Sequence, residues 1–314
     1  MKRLAFALFL MLPAAATAQN APVQDWSNIE TVTVIAPKPG PALWHIVQNG
    51  SDVWILATVS PMPKDLQWNS AALEDIISGA NHVYLAPQLT AGLLETSWFL
   101  LTGLHKIKLP DDQTLQTTLP PDLQARRAAW LAKIKADADT DERYQPAMAA
   151  VDLEAMFRHR TGLDGEEADS RIEKLADKAD VEAKPLATYE MMPIVDEIPS
   201  LNAQSENICM KDALDDIDTQ AAHADAAARA WAVGDLAGVK ANYSDTRLYD
   251  CFAQTQSFAS DRERAIVKTL SAVHASLAKP GKSLILVGIG VLLRKDGVLD
   301  RLKTQGITVE GPPD

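Results

Sequence analysis

Short apolar segments at the two ends of the chain enclose a long stretch with helical spacing. Leu43-Trp44-His45-Ile46-Val47 and Asp52-Val53-Trp54-Ile55-Leu56 flank Gln48-Asn49-Gly50-Ser51. Asn-Gly between two β-favouring runs predicts a hairpin, because a tight turn needs residues that accept positive φ. A helix follows over about Asn69 to Ser78, with Asn69 or Ser70 as its cap and Leu73, Ile76 and Ile77 on its apolar face. Gly79 suits a left-handed turn at its end. His82-Val83-Tyr84-Leu85 reads as the next strand, and strand, helix, strand in this order predicts parallel pairing. Near the other end Ser283 to Val287 is a nearly unbroken apolar strand, the pattern of a strand covered on both faces. A helix over Asp296 to Gln305, closed by Gly306, and a last short strand Ile307-Thr308-Val309 complete this end.

Between these ends, from about Leu89 to Lys279, the spacing is helical. Leu93 to Leu104 is apolar enough for a buried helix, and Pro120-Pro121 introduces one over Asp122 to Ala136. Further helices are predicted over Met148 to Arg160, Glu166 to Ala179, Met192 to about Asp218, Thr219 to Val233 and Arg262 to Ala278. No repeat of solenoid period is present. The expected fold is mixed α/β: a small central sheet built from the N- and C-terminal segments, with a large helical middle. Residues 42–314 are expected to form a single domain with a helical insertion over about 89–279.

The first residues change where this fold is expected to work. Met1-Lys2-Arg3, an apolar run from Leu4 to Leu12 and Ala16-Thr17-Ala18 have the order of a bacterial secretory signal cleaved after Ala18. Residues 19–41 then read as a polar, proline-bearing arm. The expected location is periplasmic or secreted, with no stable membrane insertion after cleavage, since no later apolar run reaches spanning length. A formal charge of −12 without a Lys/Arg cluster argues against nucleic acid and anionic membrane surfaces as partners. Cys209 and Cys251, a lone pair without Cys-x-x-Cys spacing, are expected to form a disulfide in such a compartment.

The candidate chemistry lies where two of the predicted strands stop. The first ends Ala57-Thr58-Val59-Ser60 and is followed by Pro61-Met62-Pro63-Lys64-Asp65-Leu66-Gln67-Trp68; the second ends Gly288-Ile289-Gly290-Val291. With Ala42-Leu43-Trp44 before the hairpin, and Asp296-Gly297-Val298-Leu299 and Gln305-Gly306-Ile307-Thr308-Val309-Glu310 at the far end, the chain resembles the TraB/GumN family. The resemblance runs from about Ala42 to Gly311 and implies Gly-x-x-His at both strand ends, with a glutamate ending a third strand. In the family these groups are proposed to hold a hydrolytic metal, which would lower the pKa of a bound water. Here Ala57 replaces the first glycine and Ser60 the first histidine, Val291 replaces the second histidine, and Ala86 stands in the glutamate's place; Gly288 alone keeps the pattern. Neither metal nor cofactor is therefore expected.

Other polar positions remain. Arg262 in Asp261-Arg262-Glu263-Arg264 matches a family arginine, and Glu190 falls where the family often carries Leu-Glu-Thr; an ion pair or helix-end contact is the simpler account of both, and the functional alternative is an anion or substrate contact lining the cleft. Ser60 ends a strand as nucleophiles often do, yet it lacks Gly-x-Ser-x-Gly. None of the histidines has His-Glu-x-x-His spacing. Gly288-Ile289-Gly290 is explained by tight backbone packing, and Trp44, Trp54 and Trp68 by core packing or the apolar wall of a cleft. The expected function is binding, scaffolding or regulation, with an envelope protein or a small ligand as partner. The alternative is a hydrolase with a rearranged site around Ser60, Glu190 and Arg262.

Overall fold

The computed structural model describes residues 40–248, 251 and 261–312. The leader, and the arm up to residue 39, lie outside the described residues. Among the described residues the chain runs β1 (Leu43–Gln48), β2 (Ser51–Thr58), α1 (Ala71–Ser78), β3 (His82–Leu85), β4 (Gln88–Thr90), α2 (Leu93–Thr102), α3 (Leu115–Thr118), α4 (Pro121–Lys133), α5 (Pro146–Thr161) and α6 (Ala168–Lys178). It continues through β5 (Ala183–Pro185), β6 (Thr188–Glu190), α7 (Met191–Glu197), α8 (Ala203–Ala232), α9 (Leu236–Asn242), α10 (Asp261–Leu277), β7 (Gly281–Gly288), α11 (Ile289–Leu293) and α12 (Val298–Thr304). No helix among the described residues is long and apolar enough to cross a membrane.

Five strands form one mixed sheet in the order β1-β2-β7-β3-β5, as the α/β reading requires. Asn49 and Gly50 both take positive φ, 54° and 77°, so the predicted hairpin closes with Gln48 opposite Ser51. Strands β2 and β7 then pair in parallel from Ser51 opposite Gly281 to Thr58 opposite Gly288. Consecutive residues Leu284 to Val287 are buried, so β7 is covered on both faces; α10 packs against β7 and β2, α1 against β7 and α6 against β3. Apolar side chains of these elements make one hydrophobic cluster. A second joins α4, α5 and the first half of α8, around Leu115, Trp130, Leu153, Phe157 and Leu214.

Helix α8 belongs to both clusters. It is 30 residues long, spans about 45 Å, and passes from Cys209 and Leu214 in the helical cluster to Ala228, Trp231 and Ala232 under the sheet. Its far end fixes the sheet. Strand β1 flanks β2 only as far as Leu43 opposite Leu56; one residue further, Trp231 Nε1 donates to the Ala57 carbonyl at 2.6 Å. Trp231 is buried and meets Trp68 edge to face at 5.1 Å between centroids. At the other end of α8 a disulfide joins Cys209 to Cys251, with their Cα atoms 5.1 Å apart.

Several predicted elements differ from those observed. The helix break expected after Asp218 is absent, and the chain instead breaks at Pro199, which lacks an amide proton; Asn202 then caps α8 by accepting from Ser205 N at 3.0 Å. The helical middle also supplies a strand to the main sheet, β5, and two more, β4 and β6, which pair in parallel as a small separate sheet. Gly79 ends α1 at φ −115°, outside the left-handed region. Ile307-Thr308-Val309 does not form a strand; only Glu310 bridges back to His45. Helix α2 exposes Leu94, Trp98 and Leu101, where a buried helix was expected.

The helical cluster encloses carboxylates. Glu206 is buried and accepts from Ala147 N at 3.0 Å, and Asp216 is buried and accepts from Leu248 N at 2.9 Å. Burial pushes each carboxyl up to about 7, against the opposing pull of those amides. Between their ordinary range and about 7 the folded chain holds protons that the unfolded chain has released, so their contribution to stability falls as pH rises through that window. Glu206→Gln and Asp216→Asn should therefore gain stability over the native chain as pH rises, levelling off above neutrality at roughly 3–4 kcal/mol each, as read by urea denaturation across pH. Trp231→Phe leaves the buried Ala57 carbonyl without its donor and should cost about 2–3 kcal/mol in the same assay.

Candidate functional site

The parallel register brings three strand ends to one edge of the sheet. Thr58 lies beside Gly288, and Tyr84 is opposite Ile285 on the far side of β7, so Ser60, Val291 and Ala86 leave neighbouring strands at the same carboxyl end. This is where open α/β sheets place ligands, because the loops beyond the strands diverge there. Ser60 is exposed and precedes a cis bond to Pro61.

Two carboxylates from a fourth segment close over these ends. Ser60 Oγ donates to Glu167 Oε1 at 3.0 Å, and the Ala86 amide donates to Asp169 Oδ1 at 2.8 Å. Glu167 is the residue before α6 and Asp169 lies in its first turn, where the helix dipole favours negative charge. The loop that delivers them is clamped by its backbone: Lys64 N donates to Gly162 O at 2.8 Å and Gly165 N to Met62 O at 2.7 Å. Only glycine fits at 165, since a Cβ there would overlap the Pro63 carbonyl. Lys64 adds an ion pair to Asp164 at 2.9 Å.

Both carboxylates are half-buried, and burial pushes both upward from the usual carboxylate range. The Ser60 hydroxyl and the charge of Arg158 oppose the shift at Glu167, and the Ala86 amide opposes it at Asp169. Beside Ser60 a narrow cleft continues between the strand end and α8, with Gln220, Ala224, Asn242 and Tyr243 among its walls.

The residues at the family positions do not fit a metal. Val291 and Ala57 carry no donor atom, Ala86 offers only its backbone, and the Ser60 hydroxyl is committed to Glu167. Among the described residues no group of three or more His, Cys, Asp or Glu side chains is placed to hold an ion. Gly290 meets the expectation of tight packing, since a Cβ there would overlap the Asp245 carboxylate, which also accepts from Tyr243 OH at 3.1 Å. Gly288 does not: the space above it is open.

The other sequence candidates lie elsewhere. Glu190 ends β6 and faces a separate cavity with Trp98, Lys106 and Asp196, none of which lines the cleft at Ser60. The side chain of Arg262 lies outside the described residues. Its neighbour Glu263 forms a two-pronged pair with Arg301, at 2.6 and 2.7 Å. Trp44 and Trp68 are core, and Trp54 stacks on His45 with 3.8 Å between ring centroids. Sequence reasoning missed Glu167 and Asp169; the signal was an acidic pair at the start of the helix predicted over Glu166 to Ala179.

No curated protein and no solved structure matches the chain. The sequence pattern described as the TraB/PrgY/gumN family matches residues 42–311, which covers both strand ends, the third strand and everything between them. The chain belongs to the TraB/PrgY/gumN family.

Proposed function

We propose that this family member is an envelope or secreted protein that binds a partner at its strand ends and does not hydrolyse through a metal. The observation that carries the reading is the replacement of donors by internal hydrogen bonds. Where the family pattern has a histidine, Ser60 bonds Glu167; where it has a glutamate, the Ala86 backbone bonds Asp169. Val291 contributes only apolar surface. The secretory-type leader, the disulfide and the absence of a spanning helix among the described residues support the location. The open space over Gly288 leaves room for a ligand or for a loop of a partner protein.

A second reading rests on the bond between Ser60 and Glu167. A hydroxyl that donates to a carboxylate at 3.0 Å has the arrangement of a nucleophile and its base, which would make the site an esterase or peptidase without a metal.

Equilibrium dialysis of untagged protein against zinc, manganese and cobalt should leave no stoichiometric ion on the chain. One tightly held ion per chain would contradict the proposal. In a broad ester and peptide screen, the native chain and Ser60→Ala should be alike at background. Turnover lost in both Ser60→Ala and Glu167→Gln, with unchanged melting temperatures, would favour the second reading instead.

A further inference from the structure

The cleft beside Ser60 is polar and nearly closed. Ser60, Thr219, Gln220, Asn242, Tyr243 and Ser244 line it, all neutral residues with hydroxyl or amide side chains, together with Ala224, Ala227 and Ala228. Its free volume is about 20 Å³, room for about one water. Anything larger needs a wall to move. Two walls are fixed in the core: Val59 and Pro61 are buried beyond the end of β2, and α8 runs through both hydrophobic clusters. The third wall is Asn242 at the end of α9, with Tyr243 and Ser244 after it.

This wall continues as residues 243–248, and its ties lead away from the strand ends. Tyr243 N donates to Val239 O of α9 at 2.7 Å. Asp245 accepts from Tyr243 OH at 3.1 Å, and its carboxylate packs against Gly290. Further on, Leu248 N donates to Asp216 of α8 at 2.9 Å, and Arg247 stands 3.5 Å from Asp215. Three residues later Cys251 is bonded to Cys209 of α8, and both cysteines are buried. The outer wall of the cleft is thus held from the helical cluster, by residues spread over about two turns of α8.

We infer that residues 243–248 are a gate over the strand-end cleft, and that the Cys209–Cys251 disulfide is the latch that keeps it closed. The gate rests on the reading of the strand ends as a binding site, and it decides what can enter there. With the disulfide intact the far end of the gate cannot leave α8. Without it, that end is held by the noncovalent ties of Asp215 and Asp216, which can open locally. A dithiol reductant releases the latch: one thiolate attacks a cysteine sulfur, and its second thiol resolves the mixed disulfide that forms. Cys209 and Cys251 end as thiols, each having gained one electron and one proton, and the reductant ends as an intramolecular disulfide.

Access of a small reagent to the cleft tests this without a metal or a partner. Ala224→Cys places a lone thiol on the cleft wall, and Ala150→Cys, buried in the helical cluster and not lining the cleft, is the control. Alkylation of the Ala224→Cys variant by iodoacetamide should run at least about tenfold faster when Cys209→Ser and Cys251→Ser are added, while the Ala150→Cys variant stays protected in both backgrounds. Native protein reduced with dithiothreitol needs no substitution: its amides at 243–248 should exchange hydrogen at least about tenfold faster than in the oxidised protein, and those of β2 should keep their rates. Equal rates with and without the disulfide, by either readout, would overturn the gate. So would a parallel speeding in the Ala150→Cys variant, which would mean that the helical cluster loosens as a whole. Stoichiometric metal on the native chain would contradict the binding proposal and leave the gate standing.

Discussion

The structure depends on one long-range constraint, the parallel ladder between β2 and β7. Ser51 is paired with Gly281 and Thr58 with Gly288, so residues 59–280 of the 314-residue chain form the connection between two neighbouring strands. Such pairing gains nothing until the intervening chain has been ordered, and it is among the costliest contacts in the fold to close. Helix α8 meets that cost by linking the two hydrophobic clusters along its length. Its first half is fixed in the helical cluster and by the disulfide, and its last turn delivers the Trp231 indole to the Ala57 carbonyl. The position of the strand ends thus follows from packing far from them.

The same ladder makes the site. Three parallel strands end at the same side of the sheet, β3 about two residues before β2 and β7, and each end lacks the side chain that could bind an ion. What the fold places there instead is the start of α6, whose two carboxylates bond outward to a hydroxyl and a backbone amide. Each carboxylate is held by a donor from a different strand, so the helix start tethers β2 to β3 across the end of β7.

Much of this was legible in the sequence, for reasons that differ by element. Asn49-Gly50 specifies its turn locally, through two positive φ angles, and the hairpin follows from it. The unbroken apolar run before Gly288 requires cover on both faces, and β7 has it. Pairing partners more than a hundred residues apart leave no such local mark, so the bond from Ser60 to Glu167 was invisible although both residues stood in correctly predicted surroundings. Strands β4, β5 and β6 have three residues each, too few to show a period of two. The reading of α2 failed differently. Apolar composition says that a helix face needs cover, but it does not say that the cover lies in the same chain, and in this structure Leu94, Trp98 and Leu101 face outward.

The central claim is that the strand ends keep the geometry of a metal site from which only the donors are missing. The direct measurement is metal content after rebuilding them, with Ala57→Gly, Ser60→His, Ala86→Glu and Val291→His in one chain. The substitution at 86 leaves the backbone amide free to bond Asp169, so that half of the tether survives, while Ser60→His removes the hydroxyl that bonds Glu167. The rebuilt protein should hold about one zinc or manganese ion per chain where the native protein holds none, as expected for two histidines and a carboxylate around one ion. A rebuilt chain that keeps the native circular dichroism spectrum and melting temperature yet takes up no metal would contradict the account, because the three strand ends would then not converge as described.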